Sequence, residues 1–278
     1  MQRFLISAVI AILGLPGCVN AFSLEGKLIQ GGMAIGRVDP ATTVRFQGRV
    51  VRVSHDGLFV VGFSRDEKTD LVIEVQEATG SIEEHAFTIQ ARNYKIQRID
   101  GLSPRKVSPS PEDLKRIQKD IALVKQVRKT DAARTDFTQP FIWPVIGRIS
   151  GVYGSQRILN GKPKRPHYGV DIAAPTGTPV KAPAGGIVTM AHDDMFYSGG
   201  TLIVDHGHGI STVYMHLSKL LVKERQFVNQ GDIIAEVGAT GRVTGPHLHW
   251  GMNWFGARLD PSLLVPPMPE AAAASPQP

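Results

Sequence analysis

Gly245-Pro-His-Leu-His-Trp-Gly251 (GPHLHWG) sets two histidines either side of one leucine, between turn residues and a tryptophan. Alternation with a period of two is the mark of a strand. In a strand His247 and His249 project to one face, while Leu248 points the other way and anchors the strand in a core. Two imidazoles in one space suit a metal ligand and a neighbouring proton-transfer group, and the spacing alone does not divide those jobs between them. The same texture continues upstream. Gly186-Ile-Val-Thr-Met-Ala191, Thr201-Leu-Ile-Val-Asp205, Ile210-Ser-Thr-Val-Tyr214 and Asp232-Ile-Ile-Ala-Glu-Val237 are short runs separated by Gly and Pro. From about Phe137 to Val265 no long helical pattern interrupts them, so this part reads as an all-β domain.

The first hundred residues are also β in texture. Arg49-Val-Val-Arg-Val-Ser54 and Leu58-Phe-Val-Val-Gly-Phe63 are joined through His55-Asp56-Gly57, a hairpin signal, and Asp70–Gln76 and His85–Ala91 look like further strands. The expected organisation is two β domains joined by a helix. Residues 22–100 form a small sandwich-like domain without clustered ligand-type residues, read as a docking or positioning module. Residues 101–136 form a linker, Pro- and Ser-rich at its start, holding a helix over 111–129. Ser110 is its cap, Pro111 its first residue, and Asp113 lies three beyond the cap. Leu114, Ile117, Ile121, Val124 and Val127 give this helix one apolar stripe, expected to pack across the junction between domains. Residues 137–266 form the second domain, and 267–278 a disordered tail.

With 278 residues, 42% of them hydrophobic, the chain can bury two cores. Its net charge of +6 is compatible with an acidic polymer as partner. Residues 1–21 read as a secretory signal: Arg3, an apolar run from Phe4 to Leu15, a Pro16-Gly17 break, and Val19-Asn20-Ala21 before the cut. The apolar run is short for a membrane span. Removing the segment lowers the net charge from +6 to +5. The one cysteine, Cys18, precedes the cut, so the mature fold is expected to stand without a disulfide. The alternative is a lipoprotein signal with Cys18 lipidated, which Pro16 fits poorly. The expected location is periplasmic or secreted, with no membrane span and no nucleic-acid partner. No phosphate loop, serine triad or nucleic-acid motif is found.

Seven of the nine histidines fall between His167 and His249. His167 and Asp171 would lie roughly 13 Å apart in an extended strand, too far to share one ion, so the chain must bend, and Gly169 allows it. Two histidines and one carboxylate, with a position left for water, make the open arrangement of a catalytic zinc site. A closed structural site would want a fourth ligand, usually cysteine. Other histidines read more plainly. His206-Gly-His208-Gly209 fits a hairpin turn, and His55, His85 and His192 fit the surface or turns.

His167-x-x-x-Asp171, Tyr214-x-His216-Leu217 and Gly245-Pro-His247-Leu-His249-Trp250, in that order, resemble the lysostaphin-type zinc endopeptidases that cut peptide cross-links in bacterial cell walls. Ala173-Ala-Pro-Thr-Gly-Thr-Pro-Val180, Ala182-Pro-Ala-Gly-Gly-Ile-Val188, Val228-Asn-Gln-Gly-Asp232 and Val237-Gly-Ala-Thr-Gly241 extend the likeness over about 130 residues. The resemblance implies an antiparallel β domain with an open groove and one zinc ion held by His167, Asp171 and His249. It places His216 and His247 beside the metal-bound water as catalytic residues. The helical H-E-x-x-H of zincins is absent, so imidazole is expected to act as the base.

The expected function is zinc-dependent hydrolysis of peptidoglycan cross-links by a metal-activated water, in a Gram-negative periplasm. Some relatives have lost ligands and activate other wall hydrolases. The alternative is therefore a silent or autoinhibited wall-binding regulator, with a protein partner. A carrier-domain reading of Val180–Val188 and Gly231–Val237 lacks the modifiable lysine turn. Lys162, Lys164 and Arg165, just before the first ligand, together with Tyr214, are the substrate-binding candidates, with stem-peptide carboxylates as the ligand.

Overall fold

The structure is a computed structural model describing residues 22–269. The expected signal segment, Cys18 and the tail from residue 270 lie outside the described residues. Eight strands occupy the first hundred positions: β1 (Ser23–Gly26), β2 (Met33–Arg37), β3 (Thr43–Phe46), β4 (Arg49–Val51), β5 (Leu58–Gly62), β6 (Asp70–Gln76), β7 (Ile82–Thr88) and β8 (Ile96–Ile99). In β6 the cause is plain. Leu71, Ile73 and Val75 are buried and the residues between them exposed, the period of a half-buried strand. β1–β7 form two small antiparallel sheets, in the orders β1-β2-β5 and β4-β3-β6-β7, closing over Phe46, Phe59 and Phe63.

Two helices follow, α1 (Pro104–Val107) and α2 (Pro111–Val127). The Ser110 hydroxyl accepts the Asp113 N–H at 3.1 Å, and the Asp113 carboxylate accepts the Ser110 N–H at 3.4 Å and the Arg105 Nε–H at 2.7 Å. This reciprocal cap satisfies amides that a helix start leaves open. α2 does not bridge the two halves as its stripe suggested. Val124 and Val127 pack on Met190, Met195, Ile203 and Val213, which belong to the C-terminal sheet, and Leu114 and Ile121 stay exposed. Polar contacts fix the same face: Arg116 pairs with Asp194 at 2.8 Å, and Asp120 accepts the Phe196 N–H at 2.7 Å.

The remaining strands are β9 (Arg148–Gly151), β10 (Gln156–Leu159), β11 (Lys162–Pro163), β12 (Val170–Ala173), β13 (Pro179–Lys181), β14 (Gly186–Met195), β15 (Gly199–Gly207), β16 (Ile210–Leu220), β17 (Phe227–Val228), β18 (Ile233–Val237), β19 (His247–Trp254) and β20 (Ala257–Leu259). The main sheet runs β17-β14-β15-β16-β19-β12-β9, with β13, β18 and β20 attached to it. All its pairings are antiparallel, so the all-β, two-part expectation matches the architecture. The two parts are not separate bodies. β8 pairs with β10 in parallel, Phe46 lies 5.8 Å from the Trp254 ring, and one buried cluster runs from Met33 to Leu259. Among the described residues, no helix is long and apolar enough to cross a membrane.

Candidate active site

Register builds the site. β12 pairs with β19 so that Asp171 faces His249 directly across the ladder and Ala173 faces His247. Asp171 Oδ1 lies 2.8 Å from His249 Nδ1 and 2.9 Å from His167 Nε2, and the two imidazole nitrogens are 2.9 Å apart. All three residues are buried. His167 comes from the turn before β12, and its Nδ1–H donates to the Val152 carbonyl at 3.1 Å, which leaves a lone pair on Nε2. Gly169 permits the close approach, as expected, but through space rather than an unusual φ. A Cβ there would stand 2.6 Å from the Trp250 carbonyl oxygen and 2.7 Å from the His249 ring.

His216 sits where β16 changes partners. β16 pairs with β19 as far as Met215, opposite His249, and then with β18 from Leu217. The switch falls on His216, in the left-handed region at φ 65°, which is uncommon for a non-glycine residue and typical of functional positions. Its ring stands 4.8 Å from that of His247. Each of these two rings is tied by Nδ1 to a carbonyl, His216 to Thr240 at 2.9 Å and His247 to Gly245 at 2.9 Å. Their Nε2 atoms are thereby left for chemistry. His247 Nε2 lies 3.9 Å from Asp171 Oδ1.

The three converging atoms fit a metal ion. A carboxylate oxygen can only accept, and His167 Nε2 is an acceptor once its Nδ1 donates to Val152, so the cluster needs a shared cation or proton. Burial alone would raise the Asp171 carboxyl, but contacts with His167 and His249 outweigh it and hold it well below the usual carboxylate range. Burial pushes His249 down to about 4. Burial, then the neighbouring His247 and His249, pushes His216 down to about 3.

Arg157 has no signal in the sequence, because it reaches the site from β10, fourteen residues before Asp171. Its Nη2 donates to Asp171 Oδ2 at 2.7 Å. The carboxylate is thus divided, Oδ1 toward the histidines and Oδ2 toward the guanidinium. Gly151 makes room for this, since a Cβ there would stand 2.5 Å from Asp171 Oδ2.

The site opens into a cavity of about 930 Å³ walled on one side by α2 and lined by His167, His216 and His249. Lys164 and Arg165 line it as well, and the Lys164 ammonium also donates to the Val107 carbonyl at 2.9 Å. The other two candidates for substrate contact, Lys162 and Tyr214, lie outside this cavity wall. The Lys162 ammonium turns to the Ser108 hydroxyl at 2.7 Å, and the residue is not part of the cavity wall. Tyr214 is fully buried, because its position on β16 directs the ring into the core, and its hydroxyl donates to Thr212 Oγ1 at 2.8 Å. His206 completes that buried chain, with Nε2 accepting from Thr212 at 2.8 Å and Nδ1 donating to the Gly185 carbonyl at 2.6 Å. It is a structural histidine, consistent with its turn-flanked sequence.

The model of peptidase family M23 matches residues 165–261. Curated relatives include the peptidoglycan DD-endopeptidase ShyA of Vibrio cholerae, 46% identical over 105 residues, which are 37% of this chain and 24% of the relative. The DD-carboxypeptidase/endopeptidase Mpg of Neisseria meningitidis serogroup B is 38% identical over 130 residues, 47% of this chain and 30% of the relative. These matches span only about a quarter to a third of the relatives' length. A crystal structure from Pseudomonas aeruginosa, provisionally assigned to peptidase M23, accompanies the chain much further. It is 34% identical, with a TM-score of 0.68, over 86% of this chain and 95% of its own. With the matched segment enclosing the buried His167–Asp171–His249 cluster, and with a relative that follows nearly the whole fold, the chain belongs to peptidase family M23.

Proposed function

We propose that this protein is a zinc-dependent endopeptidase that hydrolyses peptide cross-links of bacterial peptidoglycan, with His167, Asp171 and His249 as metal ligands and His216 and His247 as catalytic residues. The carrying observation is the convergence of three buried lone-pair atoms beside two further imidazoles, at the wall of an open cavity. Two imidazoles and one carboxylate suit zinc, whereas magnesium and calcium take all-oxygen sets. A zinc ion bound there would supply Lewis acidity, activating water as the nucleophile and polarising the scissile carbonyl.

The chain's own groups supply the rest. His216 Nε2 and His247 Nε2 are acceptors while Nδ1 donates to a carbonyl, so each can take a proton at Nε2 from the attacking water. Once protonated, the same atom can donate to the oxyanion or to the leaving amine. Burial favours the neutral, proton-accepting form of His216. Arg157 orients Asp171, and α2 shields one side of the cavity from bulk water. Similarity to relatives named as peptidoglycan DD-endopeptidases supports stem-peptide cross-links as substrate, and a substrate in the wall supports a periplasmic or secreted location.

The test is incubation of the protein with purified sacculi, with and without chelator, and mass identification of released muropeptides. Chelator-sensitive products cut at a peptide cross-link are expected. Intact sacculi in zinc-replete buffer would overturn the reading in favour of a wall-binding regulator.

A further inference from the structure

The cavity wall carries six arginines and three lysines, but Asp120 is its one acidic residue, and that carboxylate is engaged by the Phe196 amide. Among the described residues, Arg157 alone of these nine cations lies within ion-pair distance of a carboxylate. Two of the others stand out. Arg128 follows the last turn of α2, and its Nε is buried with no hydrogen-bond partner. Arg258 lies on β20, paired in register with Asn253 of β19, and its Nη1 donates to Asn253 Oδ1 at 3.0 Å.

Asn253 stands on the same face of β19 as His247 and His249, because alternate residues of a strand share a face. Arg258 is therefore held on the site's side of the sheet, opposite Asn253, which lies four residues along β19 from His249, or roughly 13 Å of strand. Its guanidinium carbon is 5.8 Å from the centre of the Tyr168 ring, next in sequence to His167. Burial and then the charge of Arg258 hold Arg128 well below the ordinary arginine range, and burial pushes Arg258 down to about 10. A guanidinium keeps its proton at neutral pH, so two part-buried cations stand side by side with donors to spare. A charge taken from water without a partner is costly, and an anion presented to both would relieve that cost.

We propose that Arg128 and Arg258, flanked by Arg165, form a subsite for a free carboxylate of the bound peptide. This rests on the peptidase reading above. The guanidinium fork matches carboxylate geometry through paired N–H donors. Apolar groups of the same wall, Ile121 and Val124 of α2 with Phe255, suit the peptide that carries it. The subsite is composite. Arg165 and Arg258 lie within the family-matched segment 165–261, while Arg128 lies before it, so α2 contributes recognition as well as a wall.

The test uses two fluorescein-labelled stem pentapeptides of one sequence, one with a free C-terminal carboxylate and one amidated. Binding is read by anisotropy on the full chain carrying His247→Ala, to prevent turnover. The free acid should bind at least about tenfold tighter. Arg128→Gln and Arg258→Gln should each remove that preference while leaving the amide's affinity unchanged, and Arg128→Lys should keep part of it. Equal binding of acid and amide, or a loss shared equally by both peptides, overturns the subsite. Two variants on separate elements guard against a folding defect in one. If the subsite alone is wrong, the unmutated chain still cleaves sacculi in a chelator-sensitive way. If the hydrolytic reading is wrong, no cleavage occurs, yet the carboxylate preference is still measurable.

Discussion

Asp171 and His249 are cross-strand partners, and the register of β12 against β19 sets Asp171 Oδ1 2.8 Å from His249 Nδ1. Two of the three proposed ligands are therefore fixed by the sheet itself, before any ion binds, and only His167 depends on a turn. His249→Ala should lower bound zinc from about one ion per chain to near none and reduce sacculus hydrolysis at least about 100-fold. Far-UV circular dichroism should be unchanged, since Leu248 and Trp250 keep the strand in the core. Elemental analysis after dialysis decides it, and stoichiometric zinc in the variant would remove His249 from the ligand set.

Arg157 acts one step further out. By occupying Asp171 Oδ2 it leaves Oδ1 facing the histidines. Arg157→Ala should weaken zinc binding about 10–100-fold, the usual effect of removing a group that orients a ligand. Arg157→Lys should recover part of the loss. Competition against a metallochromic chelator measures this without reference to turnover, and unchanged affinity in Arg157→Ala would show that the contact does not orient the ligand.

His216 and His247 touch no atom of the proposed ligand cluster within hydrogen-bond range, so their loss should separate metal binding from chemistry. His216→Ala and His247→Ala are each expected to keep about one zinc while hydrolysis falls about 10²–10⁴-fold, the range for removing a general acid or base. Normal hydrolysis in either variant would end that residue's catalytic role.

Tyr214 gives a contrasting case. Its hydroxyl serves the buried chain through Thr212 to His206, so Tyr214→Phe should cost about 1 kcal/mol of stability and leave the KM for sacculus fragments unaltered. Urea unfolding and steady-state kinetics test the two halves, and a raised KM at unchanged stability would return the residue to the substrate surface.

Tyr214 also shows where reading the sequence runs out. GPHLHWG announces a strand and a shared face because period-two alternation is local, and the five site positions stand out because histidines and one aspartate are chemically rare in such spacing. The Ser110–Asp113 cap was legible for the same reason. What was not legible depends on distance in sequence. Arg157 stands on β10, in the small β11-β10-β8 sheet, and meets Asp171 of the main sheet across the gap between them, and α2 chooses the C-terminal sheet because Met190, Met195 and Val213 complement its stripe. Nothing within α2 names those partners. Lys162 and Lys164 follow the same rule, since residues as far back as Val107 and Ser108 engage their ammonium groups.

Asp205 supplies a test of stability against pH. It lies in β15, 2% exposed, and burial pushes its carboxyl up from an ordinary 3.8 to about 6. A folded-state value above the unfolded one means that the folded chain binds the proton more tightly. Its favourable contribution is therefore complete below about pH 4 and is lost as pH rises through about 6, leaving a buried carboxylate at pH 7. At 1.36 kcal/mol per unit the difference is at most about 3 kcal/mol. Asp205→Asn keeps an oxygen that can accept the Gly207 amide proton and carries no charge. It should therefore be more stable than the unmutated chain by about 1–3 kcal/mol at pH 7 and about equal to it at pH 4. Urea unfolding of both proteins at intervals from pH 4 to pH 8 gives the difference directly. A gain that is flat across that range, or larger at the acid end, would show that Asp205 is ionised without penalty in the fold.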